Sequence, residues 1–202
     1  MFAELVPQAE VRHIVDDSLL PEVLRHGGVT PNVQRRMLSY YQAAADSGAN
    51  LIFNQCSSVG EVADQAAATL GVPVVKIDRR MAETACLTGS TVGVIATLET
   101  TLGPTCRLLE ATAKQLKRQI TLRPHLVAGA FDKLVAGDRA EHNRLVLAAI
   151  RELSATVDVI VCAQGSMIAV VAELGATPVP VLTSPRLGVE HAAEVLRARP
   201  PA

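Results

Sequence analysis

A chain of 202 residues with 49% hydrophobic content has enough apolar material for one large domain or two small lobes. Its 19 basic and 20 acidic side chains leave a net charge of -1 with no basic run to track a phosphate backbone, and 2% aromatic content without Trp leaves no base-stacking platform or aromatic cage. No apolar stretch approaches bilayer length, and Met1, Phe2, Ala3 and Glu4 lack a signal peptide's basic-then-apolar start, so the expectation is a cytoplasmic protein with a small polar ligand, no nucleic acid and no membrane.

In chain order, apolar runs punctuated by Gly and Pro predict short strands at 10–16, 50–55, 72–77, 91–96, 119–123, 157–162 and 178–183, with helical patterns between them. The best-marked helix opens at Thr30, carries Pro31 in its first turn and closes near Gly48. After the strand at 50–55 come Cys56, the turn residues Ser57, Ser58, Val59 and Gly60, and a helix to Leu70. Cys86 falls inside a helical stretch from Met81 to Leu87. Thr97, Thr100 and Thr101 follow the strand at 91–96, ahead of a helix led by Gly103 and Pro104 that carries Cys106 on to Leu116. Cys162 ends the strand at 157–162 and precedes Ala163, Gln164, Gly165 and Ser166, then a helix from Met167 to Leu174. Strands alternating with helices predict an α/β fold with parallel pairing and crossover helices.

Cysteines at 56, 86, 106 and 162 lack the close spacing of zinc knuckles or redox motifs, and in a reducing compartment they are expected as free thiols. The histidines at 13, 26, 125, 142 and 191 have no metal-ligand spacing, and His142 reads as a helix cap or surface decoration. No G-x-S-x-G elbow occurs for a serine hydrolase, and no G-x-G-x-x-G or Walker pattern, so neither a hydrolase triad nor a dinucleotide or nucleotide site is expected. Cys56 ends a strand and begins a helix, where ligands bind in open α/β sheets and where unpaired N–H groups hold a carboxylate and lower a thiol pKa. The competing reading is a small buried hydrophobe, which is the expectation for Cys86 and Cys106. The threonine hydroxyls at 97, 100 and 101 either bind a substrate carboxylate or amine or cap the following helix; the sequence leaves both open.

The chain also repeats itself. Aligning Leu51-Ile52-Phe53-Asn54-Gln55-Cys56 with Val157-Asp158-Val159-Ile160-Val161-Cys162 sets an offset of 106, from position 56 to position 162, and the stretches from Val72 and Val179 keep it within one residue. Two copies of one α/β unit imply pseudo-symmetric lobes: lobe 1 from 1–87 plus 178–202, lobe 2 from 88–177, with the active site in the cleft between them and Cys56 and Cys162 facing one substrate. The strand at 91–96 has no counterpart in the first copy, because the offset places it before Met1. The first lobe is therefore expected to have one parallel strand fewer than the second, with weak or absent activity that an N-terminal extension would rescue.

The motifs Asn54-Gln55-Cys56-Ser57-Ser58-Val59-Gly60-Glu61, Val92-Gly93-Val94-Ile95-Ala96-Thr97-Leu98-Glu99-Thr100-Thr101 and Cys162-Ala163-Gln164-Gly165-Ser166-Met167 together resemble the aspartate/glutamate racemase superfamily, over nearly the whole chain to Ser184-Pro185-Arg186. The resemblance implies a racemase without pyridoxal phosphate or metal, in which one cysteine thiolate removes an α-proton and the opposite thiol delivers one to the other face. Carried over, Cys56 and Cys162 are the bases, Ser57 and Ser58 hold the substrate carboxylate, and Thr97 and Thr100 line the pocket with Thr101 and Asn54 beside them. Gln164, also expected among the substrate-binding residues, stands where amino-acid racemases often carry His or an acidic residue. The superfamily also contains arylmalonate decarboxylases, maleate isomerases and hydantoin racemases, some with a single working cysteine, and a ligand-binding member without turnover is the non-enzymatic alternative. A homodimer is the expectation for a small cytosolic enzyme.

Overall fold

In the computed structural model, which describes residues 1–198, helix α1 (Phe2–Leu5) leads into an irregular segment and then α2 (Leu19–His26) and α3 (Pro31–Asp46). Thr30 acts as the α3 N-cap, its hydroxyl accepting from the Val33 N–H at 3.1 Å with Pro31 behind it. Strand β1 (Ile52–Asn54), a 3-10 turn (Ser57–Val59), α4 (Gly60–Thr69) and β2 (Val74–Lys76) follow. β1 and β2 pair in parallel, Asn54 opposite Lys76. Val23 and Val33 from the helices, Ile52 from β1 and Val62 and Ala63 from α4 are buried in one cluster beside this sheet.

The predicted strand at 10–16 does not form. Its apolar residues fall at 11, 14 and 15, which puts no single face of an extended chain toward a core, and Val11, Ile14 and Val15 are all exposed. Side chains hold the end of the segment instead. Asp16 accepts from the Ser18 N–H and hydroxyl at 3.1 and 2.7 Å, from the Tyr40 hydroxyl at 2.6 Å and from Arg36.

The second set of elements runs α5 (Arg79–Thr88), β3 (Thr91–Ala96), α6 (Glu99–Gln115), β4 (Thr121–Leu126), α7 (Ala130–Val135), α8 (Arg139–Leu153) and β5 (Val159–Cys162). A 3-10 turn (Gly165–Met167), α9 (Ile168–Val171) and β6 (Val181–Thr183) complete it, and α10 (Ser184–Arg197) runs from its end back to the first set. Four parallel strands lie in the order β4-β3-β5-β6, and Val92, Val94, Val159, Ile160 and Val161 in the two central strands are fully buried. His142 belongs to this core and not to the surface: it is 2% exposed, with Nδ1 at 2.9 Å from the Ala130 carbonyl oxygen, so it ties α8 to the start of α7.

Two compact units result, Met1–Ile77 with the chain from Arg186, and Asp78–Pro185. The sequence reading places 78–87 and 178–185 in the first lobe. In the structure α5 packs on α6 and β5, and β6 hydrogen-bonds to β5, so both segments lie in the second unit. Residues 199–202, part of the expected first lobe, lie outside the described residues. Among the described residues the first unit has two strands against four, a deficit of two where one is expected, because 10–16 contributes none. No described helix is long and apolar enough to cross a membrane.

Candidate active site

In the first unit β1 stops at Asn54, two residues before Cys56, which is extended (φ -122, ψ 114) and stands immediately before the 3-10 turn Ser57–Val59 that feeds α4. Cys56 is therefore outside the ladder and half-buried. A relay of hydrogen bonds fixes its backbone. The Tyr41 hydroxyl on α3 donates to Asn54 Oδ1 at 3.0 Å, which turns the Asn54 amide so that Nδ2 donates to the Cys56 carbonyl oxygen at 3.0 Å. Burial, then the negative charges of Cys56 and Asp64, push the Tyr41 phenol above its ordinary range, so it stays a donor. Ser57 is half-buried and Ser58 is 6% exposed. Lys76, opposite Asn54 on β2 and 8% exposed, donates to Asp64 on α4 at 2.6 Å. Tyr41, Asp64 and Lys76 are absent from the sequence-derived site. Lys76 does carry a signal there, as the only charge in the apolar run from Val72 to Ile77.

The second unit repeats the strand, turn and helix, but shifted. Cys162 is the last residue of β5, with Ile95 and Thr183 opposite it on the flanking strands. Inside the ladder it is 0% exposed and packs in an apolar cluster with Ile95, Val146 and Met167. Burial alone pushes its thiol up to about 12. Two residues on, the Gln164 side chain reaches to β3: Oε1 accepts from the Thr97 N–H at 2.6 Å and its hydroxyl at 3.1 Å, and Nε2 donates to the Thr97 oxygen at 2.8 Å.

Thr100 and Thr101 are not loop residues ahead of a helix led by Gly103. α6 begins at Glu99 and carries Pro104 within it, so both threonines sit in its first turn. The Thr100 hydroxyl is buried without a hydrogen-bond partner among the described residues, while Thr101 is 3% exposed and its carbonyl accepts from the Thr105 hydroxyl at 2.9 Å. The Ser184 hydroxyl, immediately after β6, is also buried without a partner. Thus Asn54, Ser57 and Ser58 gather around Cys56 in one unit, and Thr97 and Gln164 are bonded to each other in the other. Cys86 is fully buried, its thiol 3.6 Å from the Leu109 carbonyl oxygen, and Cys106 is half-buried. No group of three or more His, Cys, Asp or Glu among the described residues gathers at metal-binding distance.

A family model described as Asp/Glu/Hydantoin racemase matches residues 1–192. Among solved structures, a glutamate racemase from Bacillus anthracis is similar at 15% identity and a TM-score of 0.77, over 97% of this chain and 75% of that one. An aspartate racemase homologue from Pyrococcus horikoshii OT3 aligns at 16% identity and 0.65, over 97% and 90%. An allantoin racemase from Klebsiella pneumoniae aligns at 18% and 0.62, over 82% and 66%. At such identities the likeness is one of fold. No curated protein matches the chain.

Proposed function

The chain belongs to the Asp/Glu/Hydantoin racemase family, and from that premise we propose that it is an isomerase acting on a small carboxylate-bearing substrate of the aspartate or glutamate kind, by proton transfer between Cys56 and Cys162 without a cofactor. The observation that carries the reading is the station of the two thiols: Cys162 is the last residue of a parallel strand and Cys56 stands two residues past the end of one, and both precede a 3-10 turn and a helix. Such strand ends are where ligands meet helix N-termini in α/β folds.

An α-proton beside a carboxylate is weakly acidic, so its removal needs an oriented base and donors for the charge that builds on the carboxylate oxygens. The Cys56 thiolate takes the proton, the C–H electron pair moves into an enediolate, and the Cys162 thiol gives its proton to the opposite face; the reverse reaction exchanges the roles. Burial that keeps Cys162 protonated suits it to the donor's part in the first direction. Ser57 and Ser58, in the turn after Cys56, are assigned to the carboxylate together with Thr97, Thr100 and Thr101. The Thr100 hydroxyl, buried without a partner among the described residues, has hydrogen-bonding capacity to spare. Asn54 and Gln164 have side chains engaged within the protein, and they support the two cysteine turns. Reduced thiols suit the cytosol, and a homodimer is the commonest assembly for an enzyme of this size.

A single-thiol reaction, as in the decarboxylase-like members of the superfamily, is the second reading, and the contrast between a fully buried Cys162 and a half-buried Cys56 favours it. Deuterium incorporation at the α-carbon, measured in D2O over amino acids and hydantoins and paired with CO2 release from substituted malonates, separates the two. The two-base reading expects Cys56→Ala and Cys162→Ala each to lower turnover by roughly 10²–10⁴-fold. Turnover that survives Cys162→Ala selects the single-thiol reaction, and no exchange or release on any substrate removes both.

A further inference from the structure

The backbone ladder between β5 and β3 closes with the Ala163 N–H donating to the Ile95 carbonyl at 2.9 Å. Just beyond it the Thr97 N–H donates to a side chain, Gln164 Oε1 at 2.6 Å, so the carboxamide extends the sheet by one rung where β5 has already turned away. Gln164 is extended (φ -118, ψ 134) and precedes the 3-10 turn Gly165–Met167, yet its side chain caps none of that turn's N–H groups. The three hydrogen bonds of its carboxamide all go to Thr97, to both the N–H and the hydroxyl. Alternation along extended chain puts Gln164 on the same face of the sheet as Cys162, one step further out. Thr97 is 6% exposed and Cys162, two residues before Gln164, is 0% exposed.

We propose that Gln164 is a positioning residue for Cys162: its clasp on Thr97 ties the loop after β3 to the turn after β5 and holds the thiol covered, and release of the clasp brings the thiol into reach. The proposal deepens the racemase reading, on which the catalytic importance of Cys162 rests. A thiol that must give or take a substrate proton cannot remain sealed among apolar side chains, so some contact has to open during turnover. The Gln164–Thr97 contact is made by a neutral carboxamide on donors that a carboxylate takes more strongly, which makes it the contact a substrate can replace.

The test needs no substrate. Iodoacetamide alkylation is followed at each cysteine by peptide mass spectrometry across pH, with buried Cys86 as the internal reference. Gln164→Met keeps the length of the side chain and removes its acceptor and donor; it is expected to raise Cys162 alkylation roughly tenfold or more and to lower its pH midpoint, with Cys86 unchanged. Gln164→Glu, whose two oxygens still accept from the Thr97 N–H and hydroxyl, is expected to stay within about twofold of the parent. An unchanged Cys162 rate in Gln164→Met, a parallel rise at Cys86, or a Gln164→Glu variant as reactive as Gln164→Met overturns the proposal. Since alkylation is independent of turnover, absence of isotope exchange removes the racemase reading and leaves this result standing, and the converse holds.

Discussion

A thiol enclosed by Ile95, Val146 and Met167 keeps its proton to about pH 12, whereas in the unfolded chain it titrates near an ordinary thiol value of ~8.5. Between those limits the unfolded state binds fewer protons than the native one, so stability falls as pH rises. Cys86, raised by the same burial, adds to the slope in the same direction. Denaturation followed from pH 8 upward is expected to show this alkaline loss, and Cys162→Ala is expected to reduce it; an unchanged slope would mean that Cys162 is open to water in solution. Both cysteines that matter to the proposed chemistry are legible in the sequence as strand-end residues, but their different depths are not. The difference comes from a two-residue shift, with β1 ending at Asn54 and β5 running to Cys162 itself, and a sequence offset aligns the cysteines without revealing where each ladder stops.

Helix α10 approaches the end of β2 so closely that a Cβ on Gly188 would lie 2.4 Å from the Ile77 carbonyl oxygen and 2.9 Å from its Cα. Backbone cannot rotate away as a side chain can, so Gly188→Ala is expected to cost about 1–3 kcal/mol or more. Gly103→Ala on α6, where the nearest atom is the mobile end of Arg107 at 3.3 Å, is the control and is expected to be near neutral or stabilising. Equal denaturation midpoints for the two variants would contradict this packing. Helix α3 is readable from Thr30 and Pro31 because capping chemistry is local. The start of α6 is not: Pro104 looks like a first-turn residue, and the helix begins five residues earlier behind Leu98, which makes no side-chain cap. β5 likewise begins at Val159 and not at Val157, since the Asp158 carboxylate accepts from the Ser90 and Thr91 N–H groups at 2.8 Å each and is spent on tying that turn.

Among the described residues the two units differ in strand number, two against four. A segment such as Val11 to Val15 is apolar enough to suggest a strand, but its spacing offers no face to a core, and nothing local could show that the Asp16 network would hold it instead. The repeat read from the cysteines is correct about the class of each unit and misjudges the number of strands for that reason. Energetically the consequence is uneven. β3 has hydrogen-bonded neighbours on both sides, and so does β5, with Val92, Val94, Val159, Ile160 and Val161 all at 0% exposure. Among the described residues β1 and β2 have only each other, in a parallel ladder of three residues a side. Opening a central strand breaks two ladders and exposes a core, whereas opening β1 breaks one short ladder, so the free energies of local opening should differ. Native-state hydrogen exchange is therefore expected to find the slowest amides in β3 and β5, intermediate protection in β1 and β2, and exchange close to that of free peptide through 10–15. Protection in 10–15 equal to that of β1 would mean that the segment does enter a sheet in solution, and equal protection across both sheets would mean that strand number does not set their stability.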